Sequence, residues 1–170
     1  MRVLLFALLA LAAGRAAADV NDVINERRLS IPASPVSVTF AREDWLLSQE
    51  QRRPGDTAVY YLHSSPKRSL VFSVYIDKTD ACTSAESCLE ASLKNPAYKD
   101  AQELQRATEG AFRYVRFYLD NPKGLQVKQA HVLASAYLQG TWVDVHLSST
   151  GKERPDLAAL EAFLKALIVK

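Results

Sequence analysis

Residues 132–148 read VLASAYLQGTWVDVHLS and decide the fold. In the second half, apolar side chains occupy every other position, which is the period of a strand with one apolar and one mixed face. A two-residue turn at Gln139-Gly140 pairs this strand with the one before it and aligns their apolar positions. The sequence therefore predicts an antiparallel hairpin whose buried face holds Val132, Ala134, Ala136, Leu138, Val143, Val145 and Leu147.

A third strand precedes this hairpin and carries Val115, Phe117 and Leu119. These side chains join the buried face if residues 121–124 form a four-residue loop, whereas a loop of three or five residues turns them to the other side. We expect the four-residue loop, with helices packed on the apolar face. The mixed face then points away from the helices and places Tyr114 opposite His131, Trp142 opposite Tyr137, and His131 diagonal to His146.

The rest of the chain supplies further strands and helices. Strands are predicted over 36–40, 45–51, 57–63 and 70–77, a helix over 84–94, and a short helical segment from Asn95-Pro96 toward Leu104. A closing helix begins after Pro155 and Asp156, with Leu157, Leu160, Leu164, Leu167 and Ile168 in one apolar stripe. This order is typical of the α+β class, and it predicts an antiparallel β-sheet of about six strands with helices packed on it, in a single-domain sandwich.

The N-terminus has the pattern of a secretory signal peptide. Arg2 precedes an apolar run over 3–13, and small residues follow at 16–18. The run is shorter than the roughly 20 helical residues that span a bilayer, so we expect no stable membrane anchor. We expect a cleaved signal peptide over 1–18, an N-terminal lead-in segment over 19–35 and a single α+β domain over 36–170, in an exported protein that is periplasmic or secreted.

Charge and motifs exclude several function classes. The chain has 21 Lys+Arg and 19 Asp+Glu, and Arg2 and Arg15 precede the expected cleavage site, so the remainder holds 19 of each. Nucleic-acid binding is not expected, because a basic face would be needed to displace counterions. No phosphate-binding glycine loop, nucleophile elbow or H-E-x-x-H motif is present, so we expect no cofactor, no resident metal and no catalysis.

Two cysteines, Cys82 and Cys88, flank the start of the helix predicted over 84–94. The helix is capped by Thr83 with Glu86, or by Ser84 with the pattern shifted by one residue. In an oxidising compartment this pair is expected to form a disulfide. A redox pair and a zinc site are the alternatives, but the spacing differs from that of thioredoxin-like motifs and no histidine lies near in sequence.

The mixed face of the hairpin carries the candidate functional residues. We predict a binding surface, because Tyr, Trp and Arg dominate interface energies; it comprises Tyr114, Arg116, His131, Tyr137, Trp142, Asp144 and His146. One alternative is a metal-dependent or acid/base hydrolase that uses His131, Asp144 and His146. The other is an amphipathic outer face with no specific role. His63 is interpreted as a sheet-edge residue.

The order of elements resembles that of the PsbP, Mog1 and DcrB-like proteins. The resemblance covers residues 36–168 and rests on the strand around Trp45, the helix near 84–94, the hairpin ending in GTWVDVHLS at 140–148, and the closing helix. It implies an α-β-α sandwich and a non-enzymatic accessory or binding role, and it transfers no site residues. We expect an exported binding protein for an unknown protein or small-molecule partner, the further alternative being an inhibitor or immunity-type protein of an envelope enzyme.

Overall fold

The computed structural model describes residues 25–42 and 45–170, so the predicted signal peptide lies outside the described residues. Most of the described chain is β-strand, with two α-helices. The strands are β1 (Glu26–Ser30), β2 (Ser37–Ala41), β3 (Leu46–Arg52), β4 (Ala58–Ser65), β5 (Leu70–Lys78), β6 (Gln102–Glu109), β7 (Phe112–Asp120), β8 (Lys128–Leu138), β9 (Thr141–Gly151) and β10 (Ile168–Val169). The helices are α1 (Ala85–Leu93) and α2 (Leu157–Ala166).

The strands form two sheets. The larger has seven strands in the order β3-β4-β5-β9-β8-β7-β6, and the smaller has three in the order β1-β2-β10. All of their pairings are antiparallel. The predicted α+β sandwich is confirmed, with seven strands in the main sheet where about six were expected.

The β8–β9 hairpin has the predicted register. Ala134 pairs with Val145 and Ala136 with Val143, and the turn residues Gln139 and Gly140 both have positive φ, at 50° and 73°. A two-residue turn of this kind matches the right-handed twist of the strands it joins. The residues of the hairpin itself therefore determine its turn and its register.

The apolar face of this hairpin is buried, as predicted. Val143, Val145 and Leu147 are each 0% exposed. They belong to a core that also contains residues of α2 and of the small sheet, including Leu160, Leu164, Val38 and Phe40. One face of the main sheet is thus covered by both the closing helix and the three-stranded sheet.

The mixed face is also covered, which corrects the expectation that it points away from the helices. Helix α1 contacts β7, β8 and β9 on this side. Its Leu89 packs in a second core with Val115, Phe117, Leu119 and Leu133. The helices therefore lie on opposite faces, because β7 adds apolar side chains to the face that the hairpin alone would leave polar.

The predicted register of β7 is wrong. Val115 pairs with Leu133 and Phe117 with His131, so these apolar residues share a face with the histidines. The connection between Asp120 and Lys128 has seven residues, not four. An odd number of loop residues turns every side chain of β7 to the other face, which was the alternative left open by the sequence.

Three further expectations need correction. Residues after Asn95 form a 3-10 turn at Pro96–Tyr98, and the segment expected to be helical as far as Leu104 instead enters β6 at Gln102. The lead-in segment contains β1. Ile168 is 43% exposed and belongs to β10, not to the apolar stripe of the closing helix.

The two cysteines flank the start of helix α1, as predicted. Ser84 is the N-cap and exchanges hydrogen bonds with Ser87 in a capping box, which is the shifted alternative. Cys82 and Cys88 form the predicted disulfide, with Cα atoms 5.1 Å apart. The bond closes a short loop at the helix start and ties the residues before the N-cap to the first turns of α1.

Neither α1 nor α2, nor any other helix in residues 25–42 and 45–170, has the length and apolar character needed to cross a membrane.

Candidate ligand-binding cleft

The centre of the candidate site is a pair of stacked imidazoles. His131 on β8 and His146 on β9 are diagonal neighbours, as predicted, because His131 pairs with Ser148 and His146 with Leu133. Their ring centroids lie 5.1 Å apart with an interplanar angle of 17°. Nδ1 of His131 and Nε2 of His146 are 2.9 Å apart, so one ring donates a hydrogen bond to the other.

Aromatic rings enclose this pair. The ring of Phe117 stacks on His131 at 5.0 Å, and the ring of Tyr98 meets His146 edge-on at 5.8 Å. Burial lowers the pKa of His146 to about 4, and burial followed by the charge of His146 lowers the pKa of His131 to about 3. At neutral pH the pair is therefore uncharged and contributes hydrogen bonds, not positive charge.

A short hydrogen-bond relay orients the two rings. Nε2 of Gln129 donates to Oγ1 of Thr150 at 3.2 Å, which turns Oε1 of Gln129 toward Nε2 of His131 at 3.3 Å. In this arrangement Nε2 of His131 carries the proton, its Nδ1 accepts from Nε2 of His146, and Nδ1 of His146 is left as an acceptor. In the part of the chain that the structure describes, Nδ1 of His146 has no hydrogen-bond partner.

Asp144 lies on the same face but belongs to a separate network. Its Oδ1 accepts hydrogen bonds from the hydroxyls of Ser92 and Ser135, each at 2.8 Å, and Ser135 in turn accepts from Nε1 of Trp142 at 3.4 Å. Burial raises the pKa of Asp144 to about 6, and the two hydroxyl donors oppose that shift. The carboxylate therefore interacts with hydroxyls of α1 and β8, not with an imidazole.

The arrangement does not assemble the alternative hydrolase site. Among the described residues, no three His, Cys, Asp or Glu side chains converge closely enough to hold a metal ion. His131 and His146 contact each other, while Asp144 contacts Ser92 and Ser135. The geometry therefore lacks both a three-ligand metal set and a carboxylate that orients an imidazole for proton transfer.

The predicted binding set is split by the register of β7. Tyr114 and Arg116 lie on the opposite face, where their side chains donate to the carboxylate of Glu161 on α2 at 2.9 and 2.7 Å. Tyr137 pairs directly with Trp142, as predicted, next to the β8–β9 turn and several residues along the strands from the histidines. Of the seven residues, His131 and His146 line a cavity together; the binding roles of the others remain predictions.

This cavity is a cleft of about 870 Å³ at the end of the hairpin. Its walls include the segment 96–100 with Tyr98 and the loop 121–125, and Gln129, His131 and His146 also line it. Asn-Pro steps at 95–96 and 121–122 mark both segments in the sequence, but neither step indicates that the two segments line one cleft.

The loop wall has an unusual backbone. Asn121, Lys123 and Gly124 all have positive φ, at 53°, 53° and 78°. Two of these residues are not glycine, and such conformations persist where the surrounding structure holds them in place. The amide of Asn121 donates to the carbonyl of Val127 at 2.8 Å and closes the loop base.

The third histidine is not at a sheet edge, which corrects its interpretation. His63 is 0% exposed and packs on the other face of the main sheet against Phe40 and Phe72. Nη1 of Arg27 donates to its Nε2 at 2.9 Å, and its Nδ1 has no hydrogen-bond partner in the described structure. Burial, followed by the charge of Arg27, lowers the pKa of His63 to about 4.

Comparisons with known proteins concern the fold alone. No protein-family model matches the chain, and no curated protein sequence is significantly similar to it. The chain is similar to the solution structure of the cyanobacterial PsbP (CyanoP) from Synechocystis sp. PCC 6803, with 14% identity over 95% of this chain and 99% of that chain and a TM-score of 0.45. It is also similar to the crystal structure of LpqN, involved in cell envelope biogenesis of Mycobacterium tuberculosis, with 14% identity over 94% of this chain and 99% of that chain and a TM-score of 0.39. The resemblance predicted from the order of elements is confirmed as a likeness of fold, and at this identity and these TM-scores it carries no argument about function.

Proposed function

We propose that this chain is an exported, non-catalytic binding protein that holds a small ligand in the cleft between segments 96–100 and 121–125. The observation that carries the proposal is the cleft itself. Its volume of about 870 Å³ lies within the range of roughly 300–1,000 Å³ that is common for small-molecule sites. Export is supported by the signal-peptide pattern of residues 1–18.

The lining of the cleft combines apolar side chains with polar and charged ones. Tyr98, Leu119 and Leu125 supply apolar surface, and Leu125 is 59% exposed. His146 offers an unpartnered ring nitrogen beside them. A ligand that covers Leu125 and gives His146 a hydrogen bond would satisfy both groups at once.

The non-catalytic part of the proposal rests on the state of the titratable groups. Proton transfer near neutral pH needs a group whose pKa lies close to the working pH. Burial lowers the pKa of His131 to about 3 and that of His146 to about 4, so neither imidazole is a ready acid at neutral pH. Asp144, which has the pKa closest to neutrality, hydrogen-bonds to hydroxyls and does not line the cleft.

The proposal is tested with a neutral fluorescent probe, phenylnaphthylamine, and two matched variants. Ala97→Trp places an indole in the cleft wall, and Ala162→Trp places the same side chain on an exposed position of α2 that does not line the cleft. Both substitutions add the same apolar area to the protein. We expect the probe to bind wild type and Ala162→Trp alike and to lose most of its affinity for Ala97→Trp.

Equal binding to the two tryptophan variants would place the probe elsewhere and contradict the proposal. No binding to wild type would also contradict it. Thermal melts of both variants check that a loss of binding is not a loss of folding.

A further inference from the structure

We propose that the ligand of this cleft is an amphiphile that carries a negative charge, bound with its apolar body between the walls and its anionic group beside Lys99 and Lys123. This inference rests on the proposed function and adds the chemical class of the ligand. It comes from the charges that line the cleft.

Two cationic side chains line the cleft. Lys99 belongs to the segment 96–100 and Lys123 to the loop 121–125. Neither lysine has an ion-pair partner within the described ranges of the chain. Their charges are therefore available to a ligand that enters between the walls.

The carboxylates at the cleft differ in availability. Asp120 is bound by the guanidinium of Arg154, with Oδ2 at 2.9 Å from Nη2 and Oδ1 at 3.3 Å from Nε, and this pairing lowers the pKa of Asp120. Asp100 lines the cleft without an ion pair in the described structure. Arg154 also binds Glu103, which does not line the cleft. The charged residues that line the cleft without an ion pair in the described structure are therefore two lysines and one carboxylate.

The inner part of the cleft supplies no charge that would alter this balance. His131 and His146 are neutral at pH 7, since burial lowers the pKa of both rings. Tyr98 is also uncharged, because burial raises its pKa to about 12. The charge preference of the cleft is therefore set by Lys99, Lys123 and Asp100, while the aromatic and leucine side chains favour an apolar ligand body.

The experiment compares two probes with the same ring system, anionic anilinonaphthalenesulfonate and neutral phenylnaphthylamine. We expect Lys99→Gln and Lys123→Gln each to weaken binding of the anionic probe by roughly two- to fivefold, the range for a solvent-exposed charge pair. Asp100→Asn should tighten the anionic probe by a similar factor. Each of these variants should change binding of the neutral probe less than binding of the anionic probe.

Lys152→Gln is the matched control, since it removes one exposed positive charge that does not line the cleft. The inference is overturned if this variant weakens the anionic probe as much as Lys99→Gln and Lys123→Gln do, or if the cleft variants leave that probe unaffected. It is also overturned if the lysine variants weaken both probes equally. In each case the proposed function still stands if Ala97→Trp abolishes binding of the neutral probe, so the two failures are distinguishable.

Discussion

The replacement His63→Gln tests how a buried histidine couples the stability of this fold to pH. His63 is 0% exposed, and its Nε2 accepts a hydrogen bond from Arg27 at 2.9 Å. Burial and then the charge of Arg27 lower its pKa to about 4. A glutamine can offer Arg27 an acceptor close to the position of Nε2, but it does not titrate in this range.

The magnitude follows from the difference between the folded and unfolded pKa. An unfolded histidine titrates at about 6.5. Between about pH 6.5 and 4 the unfolded chain binds a proton that the folded chain does not, so the free energy of unfolding falls as the pH falls, by about 1.4 kcal/mol per pH unit. The free energy of unfolding keeps its full value above about pH 6.5, and proton binding by His63 in the unfolded chain lowers it by about 3 kcal/mol on reaching pH 4.

Other groups also make stability depend on pH, so the comparison with the variant is essential. His131 and His146 have lowered pKa values and act in the same direction as His63. Asp144 has a pKa raised to about 6 and acts in the opposite direction. All three are unchanged in His63→Gln, and their contributions cancel in the difference between variant and wild type.

The assay is urea denaturation of both proteins at a series of pH values across this window. We expect wild type to lose stability relative to His63→Gln by about 1.4 kcal/mol for each unit that the pH falls. Parallel pH profiles for the two proteins would contradict this expectation, because they would mean that His63 binds its proton equally well in the folded and unfolded chain.

Three further predictions concern the core, the disulfide and the buried carboxylate. Val145→Asp should destabilise the protein by several kcal/mol in denaturant melts, because it buries an unpaired charge. Val71→Asp, at a position 41% exposed, should cost less than about 1 kcal/mol, and similar costs for the two variants would contradict the assignment of the two faces. Mass spectrometry of the exported protein should show a mass two hydrogens below that of the reduced form, and removing the Cys82–Cys88 bond should cost about 2 kcal/mol of unfolding free energy by loop entropy; two free thiols would exclude the bond. As the pH rises from about 4 to 7, the free energy of unfolding of Asp144→Asn should increase relative to that of wild type by roughly 2 kcal/mol in the same melts, because only wild type must bury a carboxylate whose pKa is raised to about 6. A difference that does not depend on pH would contradict this.

The hairpin could be predicted from the sequence because its information is local. The Gln139-Gly140 turn and the alternation through 143–147 determine which side chains face the core, and the structure places them as expected. The diagonal contact of His131 and His146 follows from the same register. These residues are close in sequence, so no distant element decides their placement.

The register of β7 could not be predicted, because it depends on the conformation of one loop. The connection 121–127 contains a 3-10 turn with positive φ at Asn121 and Lys123. Asparagine favours this conformation and lysine does not, so the residue types do not predict the length of the loop. Its seven residues move Tyr114 and Arg116 away from the histidines. An error in one loop therefore displaced two of the predicted site residues.

The cleft was missed for a related reason. Tyr98 and the loop 121–125 are separated by more than twenty residues, and they meet because α1 and the 3-10 turn pack on the mixed face. The sequence indicates each segment, but it does not indicate that the two segments come together. Burial of His63 was likewise decided by the small sheet, whose strand β1 lies in the segment expected to be a lead-in.

The three histidines report most directly on whether the cleft binds a ligand. His131 and His146 line the cleft, while His63 lies in the core on the other face of the main sheet and serves as an internal control. Histidine labelled with an NMR-active nitrogen isotope is followed during titration with phenylnaphthylamine. We expect shifts of the ring nitrogens of His131 and His146, largest for Nδ1 of His146, with His63 unchanged. Saturable binding of the probe without a shift of either cleft histidine would contradict this expectation.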